Sequence, residues 1–233
     1  MKIQSFIFNW PGHYTQAQQL EQRLLPLGHC NVVNSDPDNI PSHWLNIGNH
    51  AWFTQQWLTA CQHFQGDIMF HVQADACPEN IPQLFQDCLQ YQQQYNWGIY
   101  SPNLDFTPHT SQQADITSIK LHHDHLKMVN NPDCTCWFLH GDIIEDFNKL
   151  AIDWSGNTIG WGIDYIMVAL SYMKKRPVIR DYNHLVDHPR HTNYTGDAAW
   201  TQMQHTLRQC PAELLDTIHL LMQNRNQIVK FFL

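Results

Sequence analysis

The chain has 233 residues, of which 43 % are hydrophobic and 12 % aromatic, proportions that exclude a disordered tail and allow one sizeable core. Thirteen basic against 21 acidic residues give a formal charge of −8, which argues against general nucleic-acid binding. Only 15 % of residues are charged, so the surface is polar through Gln, Asn and sixteen His rather than through ions. Lys174, Lys175 and Arg176 form the one basic cluster that stands out. The seven Cys follow no disulfide framework and are expected as free thiols. Cys134 and Cys136 would share one face of a strand, closer together than the turn-like spacing of a zinc pair. The opening MKIQSFIFNW lacks a long apolar region with a cleavage site, and no run reaches membrane-spanning length, so the expected location is cytoplasmic.

Residues 2–9 alternate and are rich in Ile and Phe, which predicts a buried strand ending at the Trp10-Pro11-Gly12 turn. A helix is expected from Thr15 to Leu25, then a short strand from Cys30 to Val33. The polar cluster 34–38 follows, and a second helix is expected from Ala51 to Phe64, with Trp52, Phe53, Leu58 and Cys61 facing inward. Asp67 to Val72 reads as a strand, 80–95 as a helix and Trp97 to Tyr100 as a strand. The alternation predicts a parallel, twisted sheet of the α/β class. Ligands of such sheets lie beyond the carboxyl ends of the strands, where the polar clusters at 9–13, 34–38 and 73–75 fall.

Within 115–140 the runs DITSIKLHH and CTCWFLHG read as strands, followed by a helix near 141–151. His122-His123-Asp124-His125 then falls on a solvated or partly buried strand, whose neighbours point to opposite faces. A Gly- and Trp-rich loop from Trp154 to Gly162 leads into a strong helix from Ile163 to Met173. A short strand, PVIRDY, a loop over 183–194 and helical pattern from about 197 to the end complete the chain. Residues 1–195 are expected as one domain and 196–233 as a helical extension packed on it. The terminal run 228–233 reads as a docking tail, too short for stable membrane insertion.

Three segments carry chemistry. Residues 46–85 place an Asn/Gly turn and a helix before Gly66-Asp67, an apolar strand, Gln73-Ala74-Asp75 and a Pro. Gly160-Trp161-Gly162-Ile163-Asp164 opens the strong helix, and Asp187-His188-Pro189 is followed by Tyr194. In this order the segments resemble the GT-A glycosyltransferases, chiefly family 2-like enzymes with a galactosyltransferase-like Gly-Trp-Gly element. The resemblance covers roughly residues 3–195 and implies a Rossmann-like single domain with a mixed central sheet. It implies transfer of a sugar from a nucleotide-diphosphate donor, by default a UDP-sugar, to an acceptor hydroxyl. The family's Asp-x-Asp motif falls on Gln73 to Asp75, so its first acidic position is Gln here. Asp75 and His188 would hold Mn²⁺ or Mg²⁺, with His191 as a nearby substitute.

The same resemblance makes Asp164 the general base of an inverting displacement. Asn9, Trp10, Asp36 and Gln73 would line the nucleotide, and Trp161, Gly162 and Trp154 the sugar or acceptor. Each residue also has a plainer reading. Asp75 can cap the next helix, and Asp36 can close an Asx turn beside Pro37. Asp164 can be a first-turn carboxylate, favoured in its ionised form by the helix dipole, while Trp154 and Trp161 can be core. Two rival functions remain at this level: a nucleotide-sugar-binding relative without catalysis, supported by Gln73, and a His/Cys zinc protein built on 122–140.

Overall fold

In a computed structural model of the chain, which describes residues 1–48, 52–105, 114–189, 194–223 and 225–232, strand β1 (Ile3–Asn9) is buried along its whole length. Such a strand needs neighbours on both sides and cover on both faces. It pairs in parallel with β2 (His29–Asn34) and with β4 (Ile68–Gln73). Beyond β2 lies β3 (Leu45–Asn46), also parallel. On the other side β8 (Cys136–His140) runs antiparallel between β4 and β6 (Ile99–Leu104). Next come β9 (Val178–Asp187), parallel to β6, and then the two-residue β5 (Cys77–Pro78). Strand β7 (Leu126–Met128) also pairs with β9, so the described residues form one nine-stranded mixed sheet.

Helices α1 (Tyr14–Leu24) and α3 (Ile81–Tyr95) cover one face through Leu20, Leu24, Ile81, Leu84 and Phe85. The other face carries α2 (Phe53–His63), α4 (Gly141–Asn148), α5 (Ile163–Met173), α6 (Gly196–Leu207) and α7 (Ala212–Gln223). Helix α5 is apolar nearly all round, the composition of a helix enclosed by others. Met203, Leu207, Leu214, Ile218 and the tail residue Ile228 are buried in the same core as α5. No helix among the described residues is long and apolar enough to cross a membrane.

Most expected elements form within one or two residues of their expected ends, and the departures have identifiable causes. The sheet is mixed, as the resemblance implied and the strand–helix alternation by itself did not, because β8 returns antiparallel through its centre. The run 115–123 is no strand: apart from a single bridge between Asp115 and Val129 it stays irregular. The three residues of β7 take the β9 edge there, and strand propensity without a free edge has no ladder to join. His122 to His125 therefore lie in bends and a turn. Conversely, 183–187 continues β9 after a register shift at Pro102/Asn103 of β6. Trp52 points outward at 43 % exposure, and Trp57 fills the core position instead. The basic cluster is largely paired, with Lys174 on Asp146 at 2.7 Å and Arg176 on Asp142 at 2.7 Å.

His71 lies fully buried in β4 with its ring 4.0 Å from that of Phe8 and 5.8 Å from that of Trp57. Burial pushes its pKa down to about 3, while backbone groups of Phe6 and Cys134 hold back part of the fall. The unfolded chain takes up that proton near pH 6.5 and the folded chain does not, so stability drains away as pH falls from about 6.5 towards 3. We expect the wild type to lose about 2–3 kcal/mol more than His71→Leu between pH 6.5 and 4.5, read from urea midpoints. Equal losses in the two proteins would show that His71 is not the group responsible.

Candidate active site

Strands β1, β2, β4, β6 and β9 all end at one edge of the sheet, because they run parallel and only β8 and the short β5 and β7 oppose them. Of the residues singled out from the sequence, Asn9, Trp10, Asp36, Gln73, Asp75 and His188 lie at or just past the ends of β1, β2, β4 and β9, whereas Trp154 and the turn from Gly160 to Asp164 lead into α5. At the end of β1 the Asn9 amide donates to Asn34 Oδ1 at 2.7 Å, and its carbonyl accepts from Gln56 Nε2 at 2.7 Å. Asn34 Nδ2 in turn reaches Asn46 Oδ1 and the Asn39 carbonyl, each at 2.7 Å. Asp36 is buried, with Oδ1 accepting from the Asp38 N–H at 3.0 Å and Oδ2 from Asn39 Nδ2 at 2.9 Å. That is the Asx-turn geometry, and it fixes the loop after β2. Trp10 is half-buried with its ring 4.7 Å from that of His13.

At the other end of this edge, β5 pairs with the last residues of β9, setting Cys77 opposite Asp187. The pairing carries the preceding Asp75 towards the following His188, and Asp75 Oδ1 lies 3.9 Å from His188 Nε2. Asp105, just past β6, accepts the His188 N–H at 3.0 Å and donates its own N–H to the Val186 carbonyl at 3.0 Å. Nothing in the sequence marked Asp105; its role follows only from the register of β6 against β9. Asp75 also lines a cavity of about 400 Å³ against α1, together with Gln16, Gln19 and Arg23. His191 lies outside the described residues.

Gln73 donates its N–H to the Thr135 carbonyl at 3.0 Å, which joins the end of β4 to the loop entering β8. In that loop Asp133 has a positive φ of 65°, and its Oδ1 accepts from Thr135 N and Oγ1 at 3.0 and 2.8 Å. A non-glycine residue there is uncommon and marks a constrained turn. Asp133 was missed because a left-handed Asp in a loop has no sequence signature of its own. Its charge reaches Asp164 at the head of α5, and burial together with that charge pushes the Asp164 pKa up to about 6. The N–H groups of Tyr165, Gly162 and Asp164 itself oppose the rise. The helix dipole was expected to favour ionisation; burial is the larger effect.

Gly160 and Gly162, with φ of +93° and +97°, turn the loop into α5. Between them Trp161 donates its Nε1–H to Tyr194 OH at 3.0 Å, and the two rings meet edge to face at 6.2 Å. Gly162 N–H reaches Asp164 Oδ1 at 3.2 Å. Trp154 is set differently, its ring packed on Phe147 of α4 at 5.4 Å within the core. Asp75 thus faces α1, whereas Asp164 stands at the head of a helix on the opposite face of the sheet.

A second group of possible ligands lies off this edge. Asp87 of α3 and Asp181 and His184 of β9 bring their ligand atoms within 4.8 Å of one another. His184 Nε2 is 2.8 Å from Asp87 Oδ2, and Asp181 accepts from Tyr100 OH at 2.5 Å and Asn183 N–H at 2.8 Å. Gln83 Nε2 caps Asp87 Oδ1 at 2.9 Å. Each carboxylate is already hydrogen-bonded, in a network that ties α3 to β9. Cys134 and Cys136 are not part of this group; burial pushes both thiols up.

One carboxylate and one imidazole converge at Asp75 and His188, two groups of a kind that can ligate a divalent cation. No protein-family model and no curated protein matches the sequence. Solved structures do match the fold. A mannosyltransferase from Pyrobaculum calidifontis, solved with GDP-Man and Mn²⁺, superposes with a TM-score of 0.63 over 99 % of this chain and 72 % of its own, at 12 % identity. S. aureus TarS 1–349 with UDP-GlcNAc gives 0.59 over 99 % of this chain and 73 % of its own, at 9 % identity. GalNAc-T7 with UDP, GalNAc and Mn²⁺ gives 0.58 over 84 % of this chain and 44 % of its own, at 9 % identity.

Proposed function

The mixed sheet with helices on both faces is the GT-A glycosyltransferase fold, and we propose that this chain transfers a sugar from a nucleotide-diphosphate donor to an acceptor hydroxyl. The observation that carries the reading is the meeting of Asp75 and His188, far apart in sequence, at the carboxyl edge of this sheet. The nucleotide lies across the ends of β1, β2 and β4, where Asn9, Trp10, Asp36 and Gln73 stand. Asp75 and His188 would hold Mn²⁺ or Mg²⁺, which would supply Lewis-acid neutralisation of the leaving diphosphate. Gln73 brings an amide where the family's motif has a carboxylate, so Asp75 and His188 alone would hold a cation weakly and diphosphate oxygens would have to complete the site. UDP-GlcNAc, UDP-GalNAc and GDP-Man are the first donors to try, since structural neighbours were solved with such groups.

Asp164 takes the proton of the acceptor hydroxyl, whose oxygen bonds the anomeric carbon as the nucleoside diphosphate leaves from the opposite side, inverting that centre. Trp161 and Gly162 flank it on the acceptor side, and Trp154 supports their loop from the core. The test is a thermal-shift screen of nucleotide sugars with and without Mn²⁺, followed by donor turnover. A donor that raises the melting temperature only with the cation supports the site. Asp75→Asn should raise the Mn²⁺ concentration needed for half-maximal turnover by about tenfold or more. An unchanged Mn²⁺ dependence would remove Asp75 from the metal site. Gln73 favours one alternative, a nucleotide-sugar-binding protein without catalysis, and binding without any donor turnover would establish it.

A further inference from the structure

Between α3 and β9, Asp87, Asp181 and His184 turn their ligand atoms to within 4.8 Å of one another. Asp87 Oδ2 and Asp181 Oδ2 both face one nitrogen, His184 Nε2, at 2.8 and 3.9 Å. That nitrogen carries at most one hydrogen, so it serves Asp87 and not Asp181. The side chains of Asp181 and His184 are only 1 % and 9 % exposed, while Asp87, at 20 %, forms the side open to solvent. Among the described residues neither carboxylate pairs with a Lys or Arg; His184 is the partner of both. Even with the imidazole protonated, two negative charges face one positive charge where water hardly reaches. Like charges so placed repel strongly unless a cation stands between them.

The oxygens turned away from the imidazole are already fixed. Asp87 Oδ1 accepts from Gln83 Nε2 at 2.9 Å, and Asp181 Oδ1 accepts from the Asn183 N–H at 2.8 Å. Tyr100 OH donates to Asp181 Oδ2 at 2.5 Å, and burial, with the Asp181 charge beside it, pushes that phenol up so that it stays a donor. Outer hydrogen bonds of this kind aim carboxylates at a bound metal. A tetrahedral cation with arms of about 2.1 Å sets its ligands about 3.4 Å apart, and the two distances to Nε2 bracket that value.

We propose that Asp87, Asp181 and His184 form a structural site for a borderline divalent cation, Zn²⁺ foremost, separate from the cation proposed at Asp75 and His188. It does not depend on the sugar-transfer reading. One imidazole nitrogen with two carboxylate oxygens suits Zn²⁺ better than Mg²⁺ or Ca²⁺, which favour oxygen throughout. As the cation enters past Asp87, the Nε2 lone pair becomes the third ligand and the ring keeps its hydrogen on Nδ1. Three protein ligands leave the fourth position to water. Coordination then joins α3 to the strand that ends just before His188 more firmly than one hydrogen bond does.

The test uses the full chain, stripped with a chelator and titrated with Zn²⁺ alone, without nucleotide. We expect about one Zn²⁺ per chain to survive dialysis and the melting temperature to rise with it. His184→Gln and Asp87→Asn should each weaken Zn²⁺ binding by about tenfold or more, whereas Asp75→Asn should bind it as the wild type does. Co²⁺ gives a second readout on the unaltered chain: its visible bands should appear without a thiolate charge-transfer band. A wild type that keeps no Zn²⁺ would make the three residues a hydrogen-bonded network only and overturn the site. Retention that survives both His184→Gln and Asp87→Asn, a loss confined to Asp75→Asn, or a thiolate band with Co²⁺ would overturn it too. Nucleotide binding with Mn²⁺ tests the proposed function separately.

Discussion

Replacing Asp164 by Asn is expected to lower turnover by about 10²–10⁴-fold while leaving the folded protein at least as stable as before. Both halves follow from one environment. Burial raises the carboxyl to about pH 6, with Asp133 adding to the rise and three backbone N–H groups resisting it. In the unfolded chain the same group ionises near 3.8. Above pH 6 the folded state therefore carries an anion it holds less well than water does, a penalty of about 1–3 kcal/mol that Asn does not incur. The sign is checkable: Asp164→Asn should melt higher than wild type at pH 7.5, and the gap should close below about pH 4. Activity runs the other way. A base must be unprotonated to act, so kcat/KM should fall as pH drops through about 6. An Asn variant that keeps more than about a tenth of wild-type turnover would exclude Asp164 as the base.

The sequence carried much of this arrangement, and the reasons for its omissions are physical. Helix α5 was legible to the residue because its apolar run is bounded by Gly162 before it and by Lys174 and Lys175 after it. Strands β1 and β4 were legible because central strands are apolar on both faces. Asp75, His188 and Asp164 were singled out through a resemblance carried by local motifs, which needs no knowledge of which strands adjoin. Asp105 and Asp133 could not be found that way. The first matters only because β6 lies beside β9, and the second only because its left-handed turn aims it towards α5. The extension of β9 through His184 and Asp187 was hidden because its polar residues read as a loop, and the buried one, His184, finds its partner Asp87 on α3. Trp52 was misplaced for a related reason. Helical periodicity fits either Trp52 or Trp57 to the core, and only the close approach of Phe53 to Gly160 decides between them.

That approach also sets a large stability effect for a single added methyl group. At Gly160 φ is +93°, a conformation that costs an L-residue about 1–2 kcal/mol. The new Cβ would lie 2.4 Å from Phe53 Cδ1 and 3.1 Å from its Cγ, so the ring must move within a filled core. Overpacking of this kind adds about 1–3 kcal/mol, giving roughly 3 kcal/mol in all for Gly160→Ala. For a chain of this length that is a fall in melting temperature of about 6–12 °C. The two causes separate by experiment. Phe53→Ala removes the clash but not the backbone strain, so the double variant should lose at least about 1 kcal/mol less than the sum of the singles. Strict additivity would show that Phe53 does not meet the new methyl. Because the loop between them aims Trp161 and Asp164, the surviving folded fraction of Gly160→Ala should also turn over more slowly. Its kcat should drop while donor binding, which depends on the far end of the sheet edge, holds.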